Sequence, residues 1–98
     1  MSLQLTIEVE SRQAAQSVLQ ALEAYKEQLR QSIARTQRHL QAFEARYGVS
    51  TKVLLSEMTA DDLSGGDLDY IEWTGEFELL KGLQRELEEL DRVRYQLQ

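Results

Sequence analysis

The chain has one histidine and no cysteine, so any nucleophilic or acid–base chemistry would have to be assembled around His39. At about 100° per residue along a helix, Arg35, His39 and Arg46 fall within about 40° of one another. They form a basic flank that either stays solvated or receives a small anion or a partner's carboxylate. No general base, orienting group or oxyanion donor accompanies the imidazole, so the flank is not a catalytic site and the chain is not expected to be an enzyme. The absence of thiolates removes disulfide frameworks and thiolate zinc sites.

A second candidate is the acidic run from Asp61 to Glu72. Asp61, Gly66, Leu68 and Glu72 fit positions one, six, eight and twelve of an EF-hand loop, but Leu63 and Gly65 stand at positions three and five. Neither supplies a side-chain oxygen, which leaves a poor calcium cage. No metal or other cofactor is expected. The run reads instead as a turn followed by an acid-rich helix start.

Charge is distributed unevenly. Between Lys26 and Lys52 lie six basic and two acidic residues, whereas Val53 to Leu80 holds eight acidic residues and no basic one; the net charge is −6. Such a chain is repelled by a phosphate backbone unless its basic residues gather on one face. The acidic stretch is either a solvated face or a surface that docks on a basic protein. In the second reading Asp67, Asp69, Glu72 and Glu76 supply the charge, and Trp73 and Phe77 the apolar anchors. Trp73 has a competing role as core, closing the hairpin against Val53 and Leu54. Gly75 and Gly82, seven apart inside a helical pattern, mark either a close approach by another backbone or a tolerated kink.

These residues must be positioned by a mainly α single domain spanning residues 1–98. Leu3, Leu5, Ile7 and Val9 alternate with Gln4, Thr6, Glu8 and Glu10, which predicts a half-buried strand over 3–9. No second strand is evident, so this one is expected to pair with another chain. Ser11 as N-cap and Gly48 as terminator bound a long helix over 12–47. Its stripe runs Ala15, Val18, Leu22, Tyr25, Leu29, Ile33, Thr36, Leu40, Phe43 and Tyr47, in heptad steps with one stutter. A short helix over 51–58 is capped by Ser50, and Thr59 with Asp62 resembles a capping box. Asp67 is expected to cap a last helix over 68–95, with a stripe of Tyr70, Trp73, Phe77, Leu80, Leu83, Leu87 and Leu90. Two such helices fold back as an antiparallel hairpin with a short connecting helix. The hairpin alone has no third layer, so two copies are expected to form a homodimer with a four-helix-type core.

Three function classes remain. The first is a homodimeric partner-binding protein. The second is a purely structural coiled-coil protein. The third is a ribbon-helix-helix DNA-binding repressor, disfavoured by Glu8 and Glu10 on the outer strand face and by the length of the first helix. No apolar run approaches the ~18 residues of a membrane span, and Met1 to Gln4 lacks the basic start of a signal peptide, so a cytoplasmic location is expected.

The segments Phe43-Glu44-x-Arg46-Tyr47-Gly48-Val49-Ser50-Thr51 and Asp67-Leu68-Asp69-Tyr70-Ile71-Glu72-Trp73-x-Gly75-Glu76-Phe77-Glu78 resemble a pattern in small prokaryotic helical proteins encoded beside a toxin-like protein. The resemblance covers roughly residues 40–80. It implies an antitoxin-type function with a basic, toxin-like second partner, and it carries over no catalytic residue.

Overall fold

A computed structural model describes residues 5–93. Helix α1 (Arg12–Tyr47), helix α2 (Thr51–Glu57), a 3-10 turn (Ala60–Asp62) and helix α3 (Gly66–Asp91) follow in order. Packing of α1 against α3 makes the antiparallel hairpin, 59 × 28 × 17 Å in extent.

The helix ends follow from their capping residues. Ser11 accepts the Ala14 N–H at 3.0 Å, and Ser50 accepts that of Val53 at 3.2 Å. Gly48 terminates α1 with φ +68°, a conformation that costs any residue with a Cβ about 1–2 kcal/mol, and its N–H returns to Glu44 O at 2.8 Å. The Thr59 N–H donates to Asp62 Oδ2 at 2.9 Å, which holds the 3-10 turn. Two boundaries differ from expectation. Helix α2 stops at Glu57, with Met58 already extended as its C-cap. Asp67 lies inside the first turn of α3 rather than capping it, because the chain enters that helix through Gly65 and Gly66, the latter at φ +62°. Its carboxylate still faces the positive end of the helix dipole.

The core sits at the closed end of the hairpin. Leu40, Leu54, Leu63, Trp73 and Leu80 are buried, with Ile33, Phe43, Tyr47, Val49, Met58, Tyr70 and Phe77 packed around them. The third layer over this end is supplied by α2 and the following turn of the same chain. The expected four-helix core is therefore not what covers Trp73, and a single chain completes this packing by itself.

The expected strand is also not formed. Among the described residues there is no strand; Leu5, Ile7 and Val9 lie in irregular chain and are 79%, 58% and 41% exposed. Leu3 lies outside the described residues. The segment has no ladder partner among the described residues, and unpaired backbone groups find water instead. Further along α1 the stripe drifts. Val18 and Tyr25 are exposed while Lys26 is buried, its ammonium 3.5 Å from Asp91 and 3.4 Å from Glu23. The Tyr25 hydroxyl donates to Glu86, and this hydrogen bond raises the phenol above its ordinary value near 10.

Candidate functional site

One face of α3 packs on α1 and α2. Trp73 is fully buried, stacked on Phe43 at 5.3 Å and on Tyr47 at 5.7 Å between ring centroids. Its indole N–H donates to Thr51 Oγ1 at 2.9 Å. Thr51 in turn donates through its N–H (2.8 Å) and hydroxyl (3.0 Å) to Glu44. One carboxylate on α1 thus organises the start of α2 and, through it, the indole on α3. Burial gives Trp73 the core role; it is not a surface anchor in this fold. Phe77 is half-buried beside it, under the Lys81 ammonium, which lies 5.1 Å from the ring centre.

The acidic residues divide by face. Asp69 accepts from the Tyr47 hydroxyl and lies 3.0 Å from Arg46 Nη1. Glu76 Oε1 lies 3.2 Å from His39 Nδ1, and its Oε2 is buried without a hydrogen-bond partner. His39 and Arg46 of the basic flank therefore meet carboxylates of their own chain, and two of the four acids expected to dock on a partner are engaged at home. Asp67 and Glu72 remain exposed. A shallow open groove runs between His39, Ala42, Phe43, Arg46 and Glu72. Among the described residues no three metal-binding side chains converge, and no helix is long and apolar enough to cross a membrane.

The opposite face of α3 carries a feature that the sequence reading passed over. Leu68, Ile71 and Leu79 are 80%, 66% and 51% exposed. Together with Gly75 and Gly82 they occupy an arc of about 80°, roughly 150° round the helix from Trp73 and Leu80. A Cβ added at Gly75 or Gly82 would meet nothing within 4 Å. No packing among the described residues requires either glycine. The signal was present in the sequence as the spacing 68, 71, 75, 79, 82. The stronger aromatic stripe of Tyr70, Trp73 and Phe77 on the same helix masks it.

Comparison of the chain with protein-family models, with curated proteins and with solved structures returns no match in any of the three. The functional reading therefore rests on the geometry of α3. That helix uses one apolar face to build the hairpin and presents a second to its surroundings. The exposed apolar residues of this second face are rimmed by Asp67, Glu72, Glu78 and Arg85.

Proposed function

We propose that this chain is a non-catalytic protein-binding module whose contact surface is the outer face of α3. The observation that carries this reading is the second apolar stripe, Leu68, Ile71 and Leu79, held rigidly on a helix whose other side is locked by Trp73. A partner that covers such residues removes apolar surface from water, which favours association. The two uncontacted glycines support the same reading, since each lowers helix stability by about 1 kcal/mol relative to alanine and gains nothing within the chain.

A basic, toxin-like partner is the second reading, drawn from the resemblance of residues 40–80. Asp67 and Glu72 would carry it, because Asp69 and Glu76 already face Arg46 and His39. Trp73 and Phe77 would act by shaping α3 rather than by touching the partner. The exposed apolar stripe favours a contact dominated by burial over one dominated by charge.

The test is recovery of the tagged chain from its native cells, alone and as Ile71→Glu. The reading expects every protein bound to the wild-type chain, a second copy included, to be lost from the variant while helix content stays unchanged. Retention of the bound proteins by Ile71→Glu would refute it.

A further inference from the structure

The rim of this face bears on which protein covers it. Asp67 and Arg85 lie on the same flank of α3, separated by eighteen residues, or about 27 Å. Neither makes an ion pair within its own chain among the described residues. Their midpoint falls at Glu76. The two apolar–glycine pairs on the stripe have nearly the same midpoint: Ile71 with Gly82 falls between Glu76 and Phe77, and Leu79 with Gly75 falls at Phe77. Turning the helix end for end about that point places Ile71 and Leu79 over glycines and Asp67 over Arg85.

We infer that the occupant of this face is a second copy of the chain, its α3 antiparallel to the first about a twofold axis near Glu76 and Phe77. This rests on the reading of the outer face as a protein contact. Ile71 then packs over the partner's Gly82, and Leu79 over the partner's Gly75. Absence of a Cβ at both glycines lets the backbones approach at the short end of the usual 8–10 Å interhelical range. Asp67 meets the partner's Arg85, once at each end of the contact, so both charges, which make no ion pair among the described residues, gain one. Glu78, near the axis, carries its own counter-charge in Lys81 at 3.0 Å, which limits repulsion between the two copies of that residue. A parallel arrangement would instead set Asp67 against the partner's Asp67 and Arg85 against the partner's Arg85. This interface uses the outer face of α3 and leaves the hairpin core untouched, unlike the four-helix core expected from the sequence.

The chain contains no cysteine, so single-cysteine variants report the register directly. In the antiparallel arrangement Gly75→Cys and Glu78→Cys each lie about three residues, or ~4.5 Å along the axis, from their own copies. Leu68→Cys lies about seventeen residues, or ~26 Å, from its copy, beyond the reach of a disulfide. Mild oxidation at micromolar concentration should convert Gly75→Cys or Glu78→Cys to covalent dimer at least tenfold faster than Leu68→Cys, and the difference should vanish in denaturant. Carrying both glycine-site and flank cysteines guards against loss of packing at Gly75, and circular dichroism confirms that each variant is folded. Equal rates at all three sites, faster trapping of Leu68→Cys, or no trapping above the denatured rate would overturn the inference. If trapping fails but Ile71→Glu still releases a different protein from native cells, the second copy is wrong and the protein-binding reading of the face survives.

Discussion

The indole N–H of Trp73 donates to the hydroxyl of Thr51 at 2.9 Å, and that hydroxyl donates onward to Glu44. Three helices meet at this one chain of hydrogen bonds, so α2 serves as a bracket that fixes the roll of α3 against α1. The roll in turn decides which residues of α3 face outward.

Replacement of the bracket's central residue should be costly. Thr51→Val fills nearly the same volume but leaves a buried indole N–H unpartnered, at an expected cost of about 1–3 kcal/mol. Trp73→Ala removes the largest buried side chain and should cost about 3–5 kcal/mol, enough to unfold a domain of marginal stability. Urea denaturation followed by circular dichroism measures both. Wild-type stability in Thr51→Val would show that the hydrogen bond does not hold the bracket.

Gly65 is a place where space, not backbone freedom, requires glycine. A Cβ there would collide with the Asp69 carboxylate and lie 2.8 Å from the Tyr47 hydroxyl. That carboxylate is held by Tyr47 and Arg46 and cannot swing away without breaking both contacts. Gly65→Ala should destabilise the chain by about 1–3 kcal/mol through the polar groups it strands. In the Tyr47→Phe background the same substitution should cost less, and a double-mutant cycle in urea reads the difference.

Gly75 and Gly82 invite the opposite result. With no atom within 4 Å of either new Cβ, Gly75→Ala and Gly82→Ala should each raise the stability of the isolated chain by about 0.5–1 kcal/mol. Both should at the same time weaken association, since the added methyl enters the space reserved for Leu79 or Ile71 of the partner. Thermal melts at low concentration and sedimentation at high concentration separate the two effects. Stabilisation together with undiminished association would remove the glycines from the interface.

Glu76 offers a test of the charged groups between the helices. One of its oxygens is buried without a partner, and desolvation of such a group opposes folding. Glu76→Met should therefore match or exceed wild-type stability at neutral pH, even though it removes the contact to His39. A loss above about 1 kcal/mol in urea melts would mean that the His39 contact outweighs the desolvation.

Much of this architecture was legible in the residues. Ser11, Gly48 and Ser50 mark helix ends by local chemistry alone, and the helix bounds follow them closely. The aromatic stripe through Tyr70, Trp73 and Phe77 identified the face that packs on α1. The strand expected over 3–9 is absent where that segment is described, at residues 5–9: alternation shows what a segment would bury against a neighbouring strand, and no strand is present among the described residues. The pairing of Arg46 with Asp69 and of His39 with Glu76 joins residues far apart in sequence, and nothing in either local pattern announces it. At the candidate site, Leu68, Ile71 and Leu79 were visible as letters, but their exposure depends on the roll of α3 set by Trp73 and Thr51. That roll is a tertiary property.

Sedimentation equilibrium of wild-type chain and Ile71→Glu, from low to high micromolar concentration, tests most directly whether the outer face of α3 binds a second copy. The account predicts a wild-type mass approaching twice the 11.3 kDa of one chain and an Ile71→Glu mass of one chain with unchanged helix content. A wild-type chain that stays at 11.3 kDa throughout, or an Ile71→Glu variant that associates as the wild type does, would contradict it.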